Sequence, residues 1–474
     1  MSRSILRIPV AVVLMAGLAL PALALAHESL PAELEELLEP LPDGSMPQPL
    51  AHDHDVHSDN MFLVANNDDG GTYRQGSDLA FWGTLAVLGN YDNPGGFRLL
   101  DIADPSNPTE IGQFVCRGPQ SDVSIWRDLV FVSVDTPMAG PECGAASAGT
   151  AQVTAGGGFE GIRVVSIADP ANPTQLAFVD TDCGSHTHTL VPDEANKRLL
   201  IYVLSYPLGG QGVECNAETH RKISVVEVPL NKPAAASVVS TPDVSPAVGC
   251  HDVTVFTALD LAAAACITET QMWDISDPVN PAVVSHIVNP AINIHHSTTF
   301  DWDGTTLVIG DELGGAAATP GCADGNEHLP LGALWFYDVS NPSLPIVRSS
   351  YSIPQQEVSV FCTAHNFNTV PTRNGRDVLV SAWYNGGTTV LDYTDPANVT
   401  QLGFYIAKDP KISAAWSSYW YRGFIYTNNF DEDVNSLSPR SRGLDVFAIA
   451  DPATARAFKV NRLNPQTMEP PPNR

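Results

Sequence analysis

The chain has 474 residues, of which 44% are hydrophobic and 16% are charged, and its formal net charge at pH 7 is −29. So negative a protein is a poor match for nucleic acid or for an anionic membrane surface, and we exclude both as partners. The apolar content is high enough for a sizeable core, and a repeat fold can hold a chain of this length as one unit.

The first predicted element is a secretory signal peptide at residues 1–26. Two arginines precede an apolar run from Ile8 to Leu20, and Ala24-Leu25-Ala26 is a small-residue cleavage pattern. The run is too short for a membrane span, and no other segment has the roughly 18 to 20 apolar residues that a span needs. Cleavage after Ala26 predicts a periplasmic or secreted protein that begins with a short, acidic, flexible segment at 27–58.

A phrase of two β-rich runs joined by an Asp-Pro or Asn-Pro turn recurs along the rest of the chain. Proline presets φ for the turn, and Asp or Asn caps it through side-chain to backbone hydrogen bonds. Two further strand-like runs lie between consecutive copies, so each unit has four short strands. Seven units predict an all-β fold, a seven-bladed β-propeller of four-stranded antiparallel blades. The copies begin FRLLDIADP, IRVVSIADP, ISVVEVPLNKP, QMWDISDP, LWFYDVSNP, TTVLDYTDP and LDVFAIADP.

These repeats resemble the LVIVD repeat of exported bacterial proteins, which are similar to seven-bladed propellers. The resemblance covers roughly residues 57–462 and implies a fold, but no particular reaction. We place the propeller at 59–462 and expect Met61-Phe62-Leu63-Val64 to add a strand that closes the ring. Residues 463–474 read as a flexible, Pro-rich tail.

The first strands of the seven units align in one register, and four consecutive units begin with histidine. The aligned strands are SDLAFW, SDVSIW, HTHTLV, HDVTVF, HHSTTF, HNFNTV and AWSSYW. In a propeller these strands line the central channel, and their starts share one face with the ends of the second strands. That face also carries the long insertions, which is where repeat folds usually place their function.

Four imidazoles at equivalent positions predict a transition-metal site on the channel axis, because neutral imidazole binds copper, iron or zinc well. The predicted ligands are His186, His251, His295 and His365. His188 and His296 lie one or two positions off register, and we expect them in supporting or surface positions. The alternative is that each histidine only hydrogen-bonds within its own blade. Blades 1 and 2 are well formed but lack a histidine at this position, which favours a shared site.

The eight cysteines all map towards the same face, and an even count in an exported chain favours disulfides. We predict the local pairings 116–143, 183–215, 250–266 and 322–362.

Weaker metal candidates are His27 as a new amino terminus, the run HDHDVH at 52–57, and the calcium-loop-like Asp301-x-Asp303-Gly304. An incidental cleavage product, a solvated linker and a strand-connecting turn explain them more simply.

Two classes of function fit this pattern. One is a binding or interaction protein whose loop-bearing face, with its metal, receives a small molecule or a protein. The other is a copper or iron oxidoreductase, in which Asp311, Glu312 or Glu269 would transfer protons. A metal-free interaction scaffold follows if the histidines bond locally. The sequence has no GxSxG, P-loop or HExxH motif that would favour other chemistry.

Overall fold

The chain forms a ring of seven antiparallel sheets, as the repeats predict. The computed structural model describes residues 32–50, 54–68, 75–91, 95–154, 157–207, 215, 220–312, 330–354, 362–408, 414–430 and 442–471. Each sheet is one blade, and the first strand of each blade lies beside the first strands of the two neighbouring blades. The seven-bladed propeller is therefore confirmed. Among the described residues, no helix has the length and apolar character needed to cross a bilayer.

Each blade contains four consecutive strands, except blade 7. Blade 1 has Gly76–Trp82, Leu85–Asn90, Gly96–Asp101 and Thr109–Val115, and blade 2 has Gln120–Trp126, Leu129–Met138, Phe159–Ser166 and Thr174–Asp180. Blade 3 has Thr187–Asp193, Arg198–Leu204, Ser224–Pro229 and Ser237–Ser240, and blade 4 has Asp252–Phe256, Leu261–Ala265, Thr270–Asp274 and Ala282–Ile287. Blade 5 has His295–Phe300, Thr306–Asp311, Leu334–Asp338 and Ile346–Tyr351, and blade 6 has Phe367–Thr369, Val378–Ala382, Thr388–Asp392 and Thr400–Ile406. Blade 7 has Ala415–Tyr421, Phe424–Asn429 and Leu444–Ile449.

The ring is closed by an amino-terminal strand. Met61–Asn67 pairs antiparallel with Leu444–Ile449 and is the outermost strand of blade 7, which confirms the strand expected at Met61. It takes the place of the second run of the seventh repeat, residues 456–460, which forms no strand. A two-residue strand, Val56–His57, pairs antiparallel with the outermost strand of blade 6.

The remaining elements are short. They are the α-helices Ala32–Glu35 and Thr150–Thr154 and the 3₁₀ turns Glu194–Asn196, Pro233–Ala235 and Thr257–Leu259.

The Asp-Pro turns work as the sequence predicts. At the end of the third strand of blade 1, Asp101 Oδ1 accepts the backbone N–H of Ala103 at 2.8 Å, and Asp104 Oδ1 accepts that of Ser106 at 3.0 Å. The same side-chain bond recurs at Asp274, Asp338 and Asp392. Each turn satisfies its own backbone donors locally, which explains why the sequence marks it so clearly.

Among the described residues the hydrophobic core has seven large clusters, one between each pair of neighbouring blades, and two small ones. Between blades 7 and 1, Phe81 stacks on Tyr421 with ring centroids 4.6 Å apart. Leu38 is buried in this cluster, so part of the segment expected to be a flexible leader is packed on the ring. Because the core lies between blades, the central channel is free for polar side chains.

The carboxy-terminal segment is not a flexible extension, which corrects the prediction for the described residues 463–471. Arg462–Leu463 pairs with the first strand of blade 1, and Thr467–Met468 pairs in parallel with the first strand of blade 4. Asn464 bonds both backbone groups of Ile125, and Thr467 Oγ1 donates to Leu190 O at 2.7 Å. The first strands have unpaired backbone groups on the channel side, and this segment satisfies them. Its partners lie towards the ends of these strands, so it closes the end of the channel away from the histidines.

Candidate metal centre

The first strands start at one end of the channel, called here the histidine mouth. Local irregularities aim the side chains there. The pairing of the first and second strands of blade 5 shifts between His295 and Ser297, so His296 is an extra, bulged residue. Blade 7 has the same shift between Ala415 and Ser417, which leaves Trp416 bulged. A β-bulge turns a side chain away from the alternation of its strand, and bulges are common next to functional sites.

His251, His296 and Glu312 form a buried group at this mouth. One potential ligand atom from each lies within 4.8 Å of the other two. The two imidazole rings are 3.9 Å apart between centroids, and His296 Nε2 is 3.4 Å from Glu312 Oε2. Blades 4 and 5 thus bring two nitrogen ligands and one carboxylate close together.

His365 extends this group from blade 6. Its ring is 4.3 Å from that of His296, and its Nε2 is 3.6 Å from Glu312 Oε1. Its Nδ1 donates to Trp416 O at 2.5 Å, which fixes the tautomer and leaves the lone pair on Nε2. That Nε2 is buried and has no hydrogen-bond partner among the described residues. His251, His296, Glu312 and His365 are called the His–Glu cluster below.

His186 borders the cluster and is held by other partners. Its ring is 4.5 Å from that of His251. Its Nδ1 contacts Asp135 Oδ2 at 2.9 Å, and its Nε2 faces the hydroxyl of Tyr206 at 3.4 Å. Both ring nitrogens therefore have partners, which places His186 beside the cluster as a supporting group.

His295 points elsewhere, although the sequence alignment selects it. Its Nδ1 meets Thr270 Oγ1 of blade 4 at 2.8 Å, and its backbone pairs with Ile267. The sequence alignment puts His295 in register and His296 one position off it, whereas the bulge turns His296 towards Glu312. The only sign of this in the sequence is that two histidines are adjacent. A prediction that assumes regular alternation along the strand does not reveal which of them faces the channel.

His188 is buried between blades 2 and 3, away from the mouth. It contacts Ser124 Oγ at 2.6 Å through Nε2 and Ser133 Oγ at 2.8 Å through Nδ1, and Asp122 Oδ2 lies 3.1 Å from Nδ1. The arrangement resembles a Ser–His–Asp triad, but the His188 side chain is 0% exposed. A substrate has no access to it, so these contacts brace the interface between the blades.

Of the three proton-transfer candidates, Glu312 alone lies in the cluster. The Asp311 oxygens accept backbone N–H groups from Asn293, Ile294 and Gly332, each at 3.0 Å. Glu269 Oε1 accepts from Gln271 Nε2 at 2.6 Å and lies 3.1 Å from the ring of His286. Both carboxylates are thus occupied in holding local structure.

Burial sets the protonation of the cluster. It lowers the pKa of His251 and of His296 far below the ordinary value, and neighbouring histidines lower both further. Burial also lowers the pKa of His365 to about 3, and it raises the pKa of Glu312 to about 7 against the hydrogen bond from Tyr384. At neutral pH the imidazoles are therefore neutral, which is the form that binds metals.

The unpaired nitrogens show that the cluster suits a cation. Nδ1 of His251 and of His296, like Nε2 of His365, is buried without a hydrogen-bond partner among the described residues. Buried polar atoms are nearly always paired, so unpaired ring nitrogens around one carboxylate are compatible with a bound cation, although Nε2 of His295, outside the cluster, is unpaired as well. Imidazole nitrogens with one carboxylate are the donor set of zinc, copper and iron sites, whereas calcium and magnesium prefer oxygen.

The structure adds little support for the weaker metal candidates. Asp301 accepts the N–H of Thr305 at 2.7 Å and its hydroxyl at 2.8 Å, so it caps the strand-connecting turn. In the run at 52–57, His57 stacks on Tyr405, and residues 52 and 53 lie outside the described residues, as does His27.

Three disulfides brace the histidine mouth. Cys116–Cys143, Cys183–Cys215 and Cys250–Cys266 are bonded as the sequence predicts. Cys362 is also disulfide-bonded, and the predicted pairing 322–362 involves Cys322, which lies outside the described residues.

The fold and site together define a disulfide-braced propeller with a His–Glu cluster at one mouth. The LVIVD repeat model matches residues 83–115 and 332–353, so the chain carries LVIVD repeats. The first match spans strands two to four of blade 1, and the second spans strands three and four of blade 5. No curated protein matches the chain in sequence.

Solved structures show the same fold at low identity. The hydrazine synthase of Kuenenia stuttgartiensis is 11% identical, with a TM-score of 0.51 over 82% of this chain and 98% of that one. A protein from Lactobacillus plantarum is 12% identical, with a TM-score of 0.50 over 82% of this chain and 96% of that one. At such identities the likeness establishes the architecture alone.

Proposed function

We propose that this protein is an exported metal-binding propeller. His251, His296, His365 and Glu312 would hold one transition-metal ion at the histidine mouth, and that mouth would receive a small-molecule or protein ligand. The observation that best supports this proposal is the group of buried ring nitrogens without partners around one buried carboxylate. Compared with the sequence prediction, the proposed ligand set exchanges His295 for His296 and moves His186 to a supporting position.

The shape of the channel supports a binding role at one mouth. The segment 463–468 occupies the far end of the channel, so a ligand would reach the cluster only from the histidine mouth. Tyr206 and Tyr384 stand beside the histidines, with ring centroids 5.6 Å from His251 and 4.6 Å from His365, respectively. Aromatic side chains beside a few convergent polar groups are typical of small-ligand sites.

Export is part of the proposal and rests on the sequence of residues 1–26. The disulfides agree with it, because such bonds form and persist in oxidising compartments.

The alternative is a copper or iron oxidoreductase that uses the same cluster. Tyr384 donates to Glu312 Oε1 at 2.7 Å, and the pKa of Glu312 is raised to about 7, mainly by burial. A carboxyl group that exchanges protons near neutral pH beside a metal suits proton-coupled chemistry. The bound ion would supply the redox or Lewis-acid chemistry, and Glu312 with Tyr384 would hold the proton.

Elemental analysis of the full-length protein, exported to and purified from the periplasm, tests the proposal. We expect about one transition-metal ion per chain in the wild type and a loss of that metal in a His251→Ala/His296→Ala variant. Folding of the variant is checked by circular dichroism. An absence of stoichiometric metal from the wild type would contradict both functions and leave the metal-free scaffold.

Spectroscopy of the loaded protein separates the binding protein from the enzyme. With copper or iron bound, added azide changes the electronic spectrum if a coordination position is open. An unchanged spectrum would favour the binding protein, and a clear change would favour the oxidoreductase.

A further inference from the structure

We propose that the disulfide Cys250–Cys266 is the device that positions His251 as a metal ligand. The inference rests on the proposed metal site and adds to it two residues that never contact the ion. Cys250 directly precedes His251 in the chain, and Cys266 directly follows the neighbouring strand Leu261–Ala265 of the same blade.

Three restraints hold the backbone of His251 in place. Its N–H donates to Ala265 O at 2.7 Å, one residue before Cys266. Its carbonyl accepts the hydroxyl of Thr187 from blade 3. The disulfide is the third restraint, and it joins the same two segments as the first. His251 lies just outside the strand Asp252–Phe256, so its position depends on these local restraints rather than on the regular ladder.

The ring of His251 is hydrogen-bonded to the backbone of His296, which leaves its other nitrogen for the metal. His365 is oriented by the Trp416 carbonyl, and His186 by Asp135. Nδ1 of His251 has no partner among the described residues and is the nitrogen available to the ion. A metal-binding histidine is usually oriented by a partner on its second nitrogen, and loss of such a partner costs about 10- to 100-fold in metal affinity. The restraints on the backbone of His251 add to its bond with His296 by fixing the point from which the ring extends.

The disulfide Cys116–Cys143 provides a matched control. Cys116–Cys143 joins residues that are 27 apart in sequence, against 16 for Cys250–Cys266, and it is adjacent to no residue of the His–Glu cluster. The longer loop means that its removal relaxes the unfolded chain at least as much. The two variants therefore compare a general loss of stability with a specific loss of ligand position.

The test is a titration of metal-stripped, full-length protein with Zn²⁺ by isothermal calorimetry. The variants are Cys250→Ala/Cys266→Ala and Cys116→Ala/Cys143→Ala, each with its urea unfolding curve. We expect the Kd for Zn²⁺ to rise about 10- to 100-fold in the first variant and to stay within about threefold of the wild type in the second. If the alanine pair fails to fold, Cys250→Ser/Cys266→Ser serves instead.

The outcomes separate this inference from the proposed function. A wild type that binds no Zn²⁺ overturns both. A wild type that binds Zn²⁺ with the same Kd as the Cys250→Ala/Cys266→Ala variant overturns only the positioning role. Equal weakening in both disulfide variants also overturns it, because the effect would then follow stability alone.

Discussion

The carboxy-terminal segment gives a prediction whose size follows from the structure. Asn464 is buried against the first strand of blade 2, where its Oδ1 accepts the N–H of Ile125 at 2.7 Å and its Nδ2 donates to Ile125 O at 3.0 Å. The side chain thus imitates a neighbouring β-strand. Replacement of Asn464 by alanine leaves one buried donor and one buried acceptor unpaired.

Each buried group left without a partner costs roughly 1 to 3 kcal/mol, so Asn464→Ala should lower the free energy of unfolding by about 3 kcal/mol. The control is Asn461→Ala, whose side chain is exposed three residues earlier and whose substitution should cost no more than about 0.5 kcal/mol. Urea denaturation followed by tryptophan fluorescence measures both. A loss below about 0.5 kcal/mol for Asn464→Ala would refute the conclusion that this segment closes the channel.

Two further predictions concern buried polar groups in the channel. Burial, reinforced by Asp122, raises the pKa of Asp78 to about 8 from 3.8. The folded state then keeps a proton that the unfolded state has lost, so stability should fall as pH rises from about 4 to about 8, by up to about 1.4 kcal/mol per pH unit for this group. Asp78→Asn should flatten that slope in pH-dependent urea titrations, and an unchanged slope would show that other groups set it. His188→Ala leaves the hydroxyls of Ser124 and Ser133 without their imidazole partner, so chemical denaturation should show a loss of about 3 kcal/mol, whereas a loss within about 0.5 kcal/mol would mean that water replaces the ring.

The fold was predictable because each repeat contains the strand and turn residues that determine its own local structure. The turns cap themselves, and seven repeats, six of which have an Asp-Pro or Asn-Pro turn, fix the number of blades. The aligned first strands then fix which residues start at the channel. Three of the four disulfide pairings followed from the same map, since each joins segments that the repeat already places side by side.

The structure differs from the sequence-based expectations where non-local packing overrides the repeat. A bulge in blade 5 exchanges His295 for His296, and a pattern that assumes regular alternation has no means to locate one extra residue. The tail was read as flexible because it is short and Pro-rich, yet the unpaired channel edges of the first strands provide its partners. Those edges exist only once the ring is closed, so residues such as Asn464 and Gln466 carry no local sign of their role.

The two adjacent histidines of blade 5 allow the most direct test of the metal centre. Both are buried, they differ by one position in the chain, and only His296 faces Glu312. Metal content per chain should be measured by mass spectrometry for wild type, His296→Gln and His295→Gln, all exported and purified in the same way. We predict that His295→Gln keeps about the wild-type content, because glutamine can still bond to Thr270, whereas His296→Gln loses most of its metal. Equal metal content in the two variants, or loss in His295→Gln alone, would contradict the assignment of the site.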